Sequence, residues 1–231
     1  MLLNLQKKDI YISTSAKKNM DFDPELFVNE ACKWIKEKVK EANCRGAVLG
    51  VSGGVDSAVV LALSKIALGD NVIGLILDCE NEKEDIEDAK AVCKHFGVKS
   101  EYLDLSPVYK KFVEVLPNGT DIAYANIKPR LRMTTLYFFA NSKNLLVVGT
   151  GNKSELMVGY FTKYGDGGVD ILPIGDLYKR EVYEVAKFLK IPEKIINKKP
   201  SAGLWKGQSD EDELGLSYDC LLYTSDAADE L

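Results

Sequence analysis

Ser52-Gly53-Gly54-Val55-Asp56-Ser57 gathers in one short stretch the groups needed to hold a polyphosphate. Adjacent glycines let the backbone turn tightly and bring its N–H groups close to an anion. Two serine hydroxyls can donate to phosphate oxygens, and a carboxylate such as Asp56 can hold magnesium. No Gly-Lys-Ser/Thr ending follows, so this is not a Walker loop. An ordinary strand-to-helix turn uses the same letters. The elements around the stretch must therefore discriminate.

Those elements alternate. Ala47–Val51 is an apolar run that reads as a buried strand, and a helix is expected over Ser57–Leu68, its positive dipole end at the glycine loop. Asn71–Leu77, Lys99–Leu105 and Leu145–Val148 read as further strands, with a last short one near Ile171. Helices are expected from the Asp23-Pro24 cap along Phe27, Ala31, Trp34, Ile35 and Lys38, over Glu84–Phe96, Val108–Val115 and Ile127–Ser142, and from Asp176 to about Leu189. Apolar strands alternating with helices predict an α/β fold, a three-layer doubly wound parallel sheet of about five strands. Ligands of such folds sit beyond the carboxyl ends of the strands. Ser52–Ser57, Asp78–Glu80 and Thr150–Glu155 all fall there.

The glycine loop resembles the pyrophosphate loop of the N-type ATP pyrophosphatases. With the other blocks placed, the chain from about residue 24 to Asp219 is similar to the ammonia-dependent NAD synthetases. The likeness rests on Gly50–Ser57, Pro129-Arg130-Leu131-Arg132-Met133, Gly149-Thr150-Gly151-Asn152-Lys153-Ser154-Glu155, Phe161–Asp170, Leu177-Tyr178-Lys179-Arg180, Lys199-Pro200-Ser201-Ala202-Gly203-Leu204, Gly207-Gln208-Ser209-Asp210-Glu211 and Glu213-Leu214-Gly215. The resemblance implies the Rossmann-like, adenine nucleotide alpha hydrolase-like fold. It also implies amidation of deamido-NAD to NAD by ammonia, through an adenylate, with release of AMP and pyrophosphate.

Carried over by motif, the resemblance places ATP at Gly50, Val51, Ser52, Gly53, Gly54, Val55, Asp56, Ser57, Thr150, Lys179 and Ser201. Asp56 and Glu155 would hold Mg2+, Arg130, Lys163 and Asp170 would hold deamido-NAD, and Asp56 and Lys163 would serve the chemistry. Arginine suits the dinucleotide because its planar fork meets phosphate or carboxylate oxygens in two places. Tyr164–Gly168 reads as a cover excluding water from the adenylate, although a plain glycine-rich turn has the same letters. Glu155 alone reads as a solvated first-turn glutamate, and Lys179 alone as a solvated helix lysine. Arg132 defaults to a structural ion pair, and His95 to an exposed or structural residue. Asp78 and Glu80 are candidates for adenosine contacts. No residue is identified as the general base for the amidation.

The 231 residues suit one α/β domain at 21–219, preceded by an arm at 1–20. A net charge of −5 argues against general nucleic-acid affinity. Cys32, Cys44, Cys79, Cys93 and Cys220 make no C-x-x-C pair and read as reduced thiols, which with the absence of a leader or spanning apolar run predicts a cytoplasmic protein. The resemblance also implies a homodimer with the dinucleotide site at its interface. Ammonia would come free or from a separate glutaminase. Residues 220–231 match nothing expected of the family and read as a non-native tail; in relatives the segment expected there carries a His-Lys pair that contacts deamido-NAD. Two alternatives stand beside this reading: another pyrophosphate-loop adenylating amidotransferase or thiolase, and a non-catalytic ATP-binding module.

Overall fold

The computed structural model describes residues 12, 17–18, 21–201, 203–205, 208, 213 and 215. Two short antiparallel strands, β1 (Lys17–Lys18) and β2 (Asp21–Phe22), lead into helix α1 (Pro24–Glu41). Asp23 caps α1 as its sequence predicts: Oδ1 accepts from the N–H groups of Glu25 and Leu26, both at 3.0 Å. Strand β3 (Gly46–Gly50), α2 (Val55–Leu68), β4 (Val72–Asp78), α3 (Lys83–His95) and β5 (Lys99–Asp104) then alternate. After α4 (Ser106–Glu114), α5 (Asp121–Ala125) and the long α6 (Ile127–Lys143) come β6 (Leu145–Val147), α7 (Lys153–Val158), α8 (Lys179–Phe188) and α9 (Glu193–Ile196).

The main sheet has four parallel strands in the order β5-β4-β3-β6. Side-chain alternation gives it two apolar faces. Ala47 and Leu49 of β3 and Val72 and Ile76 of β4 join a core with Phe27, Ala31 and Ile35 of α1, the apolar side of α2, and Val182 and Val185 of α8. Val48, Leu75, Leu77 and Val147 face the other way, onto Phe139 and Ala140 of α6. Each of the fully buried leucines and isoleucines contributes on the order of 1.5–3 kcal/mol by leaving water. The three-layer α/β architecture is thus the expected one.

Three local expectations differ. The last strand near Ile171 is a single parallel bridge from Ile171 to Val148, because Pro173 has no N–H to extend a ladder. Strand β5 is not apolar throughout; its Lys-Ser-Glu-Tyr-Leu-Asp residues alternate between exposed and half-buried, as suits an edge strand. Helix α8 starts at Lys179, three residues beyond Asp176, where the Glu181 carboxylate accepts the Tyr178 N–H at 2.7 Å and sets the first turn. Among the described residues before position 21, Ile12 is buried against the main core. Residues 220–231 lie outside the described residues.

Candidate active site

Because β3 lies between β4 and β6, the loops that leave these three strands open side by side at the carboxyl edge. They border a cleft of about 460 Å³. The glycine loop forms one wall. Gly53 adopts φ +85°, and a Cβ there would lie 2.5 Å from the Asp85 carbonyl of α3, so both conformation and space require glycine. Ser57 Oγ donates to the Gly54 carbonyl at 3.0 Å and sits 3.1 Å from Ser52 Oγ. Ser52 Oγ accepts the Gly54 N–H at 3.3 Å, which folds the loop over its own hydroxyls. Gly54 occupies the N-cap of α2 and supplies no side-chain cap. The first turn of α2 is therefore an anion site in waiting.

Three charged side chains from distant elements converge on that turn. Asp56 Oδ2 accepts from Lys179 Nζ at 2.6 Å, and the same ammonium lies 3.6 Å from Glu155 Oε1. Asn152 Nδ2 donates to Asp56 Oδ1 at 3.0 Å, while Asn152 Oδ1 accepts the Glu155 N–H at 3.0 Å. The Glu155 carboxylate returns a bond from the Asn152 N–H at 3.2 Å, so a capping box holds Glu155 in place. Lys179 is only 3% exposed, which overturns its reading as a solvated helix lysine. Burial pulls its pKa down, but the Asp56 and Glu155 carboxylates more than offset this and hold it above the ordinary lysine value. Glu155 fills the first-turn role its position suggests and faces the ammonium as well.

The residues expected to meet ATP come together. Gly50, Val51, Ser52, Gly54, Val55 and Ser57 line the cleft with Asp56, and so do Thr150, Glu155, Lys179 and Ser201. Gly53 stands behind this surface, against α3. The residues expected to meet the dinucleotide are placed elsewhere. Arg130 and Lys163 are exposed neighbours outside the cleft lining, Arg130 Nε donating to the Lys163 carbonyl at 3.3 Å. Asp170 is engaged within the fold: Oδ1 accepts the Tyr137 hydroxyl at 2.9 Å and Oδ2 the Val147 N–H at 2.8 Å. The Tyr164–Gly168 turn is tied to Thr162, whose N–H donates to Asp166 Oδ1 at 3.0 Å, and its Gly165 and Asp166 border the cleft.

One polar group escaped the sequence reading, and another is paired differently from its expectation. Asn152 is fully buried and holds both carboxylates, Asp56 through its side-chain amide and Glu155 through its backbone N–H; the Asn-x-x-Glu spacing at Asn152–Glu155 was the available signal. Arg132 borders the cleft and is bound to the Leu77 carbonyl at 3.2 Å and Asn81 Oδ1 at 2.8 Å, in place of the expected ion pair. Burial lowers its pKa, opposed by acidic neighbours that include Asp166 and Asp78. Asp78 borders the cleft, whereas Glu80 turns to Lys128 at 3.2 Å. His95, at the end of α3, is exposed and stacks edge-on against Phe96.

The chain resembles known proteins along most of its length. The sequence model of the NAD synthase family matches residues 27–224. An NH(3)-dependent NAD(+) synthetase of Carboxydothermus hydrogenoformans is 52% identical over 221 residues, spanning 92% of this chain and 89% of the relative. One of Archaeoglobus fulgidus is 51% identical over 197 residues, spanning 84% and 80%. Among solved structures, an NMN synthetase from Francisella tularensis superposes with a TM-score of 0.86 at 36% identity, over 90% of this chain and 87% of that one. An NH3-dependent NAD synthetase from Campylobacter jejuni, in complex with the nitrate ion, gives 0.73 at 39% identity, over 76% and 77%. The family match covers the glycine loop, the Asn152–Glu155 box and Lys179 together, and with relatives at half identity along most of its length the chain belongs to the NAD synthase family.

Proposed function

We propose that this protein amidates deamido-NAD with ammonia at the expense of ATP, yielding NAD, AMP and pyrophosphate. The observation that carries the reading is the Asp56–Lys179–Glu155 cluster at the uncapped start of α2, in a chain half identical to NH(3)-dependent NAD(+) synthetases. A carboxylate is a poor acceptor for ammonia, so the nicotinate oxygen first attacks the α-phosphorus of ATP and pyrophosphate leaves. The backbone N–H groups at the start of α2 and the hydroxyls of Ser52 and Ser57 receive the charge that grows on the leaving group. Lys179 is placed to add its ammonium to the same oxygens. Asp56 and Glu155 both approach one cation, and two carboxylates completed by phosphate oxygens and water are a donor set that suits Mg2+. Bound there, Mg2+ would neutralise phosphate charge. Thr150 and Ser201 line the same cleft and are assigned to the nucleotide.

Arg130 and Lys163 are assigned to the dinucleotide, with Lys163 also serving the chemistry. Asp170 joins them through lone pairs left over from its bonds to Tyr137 and Val147. Arg130 and Lys163 are exposed beside the cleft, which suits a site completed by a second copy of the chain. Exposed Val108, Phe112, Val115, Ile122 and Phe138 on α4–α6 supply apolar surface for such a homodimer. Ammonia reaches the adenylate free or from a separate glutaminase. Among the described residues no helix is long and apolar enough to cross a membrane.

The test is AMP and NAD production from ATP, Mg2+ and ammonium, with and without deamido-NAD. AMP formation that ignores deamido-NAD would defeat the assignment. A second acceptor has a specific observation in its favour, the likeness to an NMN synthetase at a TM-score of 0.86. Nicotinate mononucleotide therefore belongs in the same assay, and a higher kcat/KM for it would transfer the activity to the mononucleotide.

A further inference from the structure

Asp88, on the inner side of α3, is a carboxylate that is only 2% exposed and lies outside the catalytic cluster. Its Oδ1 accepts from Lys194 Nζ at 2.5 Å and its Oδ2 from Lys198 Nζ at 2.7 Å. Lys194 lies on α9, and Lys198 lies two residues beyond its end. Lys198 also reaches Asp85 at 2.6 Å, and Lys194 reaches Glu84 at 3.1 Å. The two lysines thus fasten the chain entering Lys199-Pro200-Ser201 onto α3. Lys198, Lys199, Pro200 and Ser201 all border the cleft.

The other side of the same carboxylate backs the phosphate loop. A Cβ on Gly53 would lie 3.1 Å from Asp88 Cβ, so the loop is seated directly on the residue that holds the Lys198–Ser201 segment. A buried carboxylate needs its partners, because water is not there to replace them. Asp88 therefore tolerates little drift of Lys194 or Lys198. Although burial pushes its pKa up, the bonds from Lys194 and Lys198 bring it below the usual aspartate value.

We propose that Asp88 is a positioning residue for ATP, registering the Lys198–Ser201 wall against the Ser52–Ser57 loop through one buried side chain. The proposal rests on the reading that the cleft binds ATP, and touches neither the reacting atoms nor the Asp56–Glu155 pair. Pyrophosphate is met by the loop's backbone and hydroxyls together with Lys179 and the Asp56–Glu155 pair, none of which Asp88 touches. A whole nucleotide needs both walls.

The experiment compares calorimetric binding of a non-hydrolysable ATP analogue and of inorganic pyrophosphate, both with Mg2+, to the full chain and to Asp88→Asn. The analogue should bind about tenfold more weakly, the effect of losing one well-placed hydrogen bond to a charged group. Pyrophosphate should bind within a factor of about two of the unmodified protein, since the loop is intact. An unchanged analogue affinity, or equal weakening of both ligands, overturns the proposal. Lys194→Met provides the second variant, because Lys194 is 59% exposed and its loss leaves the core untouched. It should weaken the analogue roughly threefold, in the range of a single partly exposed charge pair, and no change would again overturn the idea. An unmodified protein that fails to bind the analogue would refute the ATP reading itself, an outcome distinct from the failure of Asp88 alone.

Discussion

Lys179→Met removes the ammonium between Asp56 and Glu155 while keeping a side chain of similar length. In the folded protein the two carboxylates then face each other across a site from which water is partly excluded, their side chains 19% and 18% exposed. Stripping one partner from a buried ion pair costs about 3–5 kcal/mol. The residual exposure lets water screen some of that repulsion, so the expected loss is about 2–3 kcal/mol, or roughly 5–10 °C in Tm for a chain of this size. The assay is thermal unfolding by circular dichroism with and without millimolar Mg2+. The divalent ion should recover much of the loss in the variant and raise the Tm of the unmodified protein less, since there Lys179 already occupies the space between the carboxylates. The pH dependence has a definite sign. Because folding raises the Lys179 pKa, its stabilisation is fully present below the ordinary lysine value of about 10.4 and fades only as pH climbs through the higher folded value. The stability difference between variant and parent should therefore be flat in the neutral range with respect to this group and shrink at strongly alkaline pH. A variant as stable as the parent at neutral pH, with no added response to Mg2+, would refute the reasoning.

Asp56→Ala should abolish AMP formation with the fold retained, measured by nucleotide chromatography; a normal rate would remove Asp56 from metal binding. Gly53→Ala places a Cβ 2.5 Å from the Asp85 carbonyl at φ +85° and should cost about 2 kcal/mol or more in urea unfolding, with weaker ATP binding alongside. Burial pushes the Cys32 and Cys93 thiols up to about 11. Both should therefore resist Ellman's reagent at pH 8 in the native protein and react promptly once it is unfolded; fast native labelling mapped to Cys93 would contradict the buried placement.

Local letters proved informative where the physics is local. Asp23-Pro24 starts α1 because the cap needs only a side-chain oxygen and the next few N–H groups. The 47–51 run forms the central strand β3 because side-chain alternation and apolar content are written in consecutive residues. Edge effects were not visible in that way. Lys99–Asp104 is exposed because it has a neighbour on one side only, a fact about the sheet order. At Ile171 the neighbouring Pro173 reduced a strand to one bridge.

The candidate site divides along the same line. Ser52–Ser57 declares a phosphate cradle, since a turn, glycines and an uncapped helix start are all encoded within a few residues. Motif order along the whole chain declares the family. Asp56 and Lys179 are 123 positions apart, and nothing in either segment states that they will meet at 2.6 Å. Nor do the letters show that Asn152 holds both carboxylates, that Arg132 turns to a carbonyl and an amide, or that Asp88 holds two lysines. Turn chemistry and hydrophobic period act over a few residues and can be read in order. Charge pairing acts through space, and its partners are set by which strands lie side by side and which helix faces are buried between them.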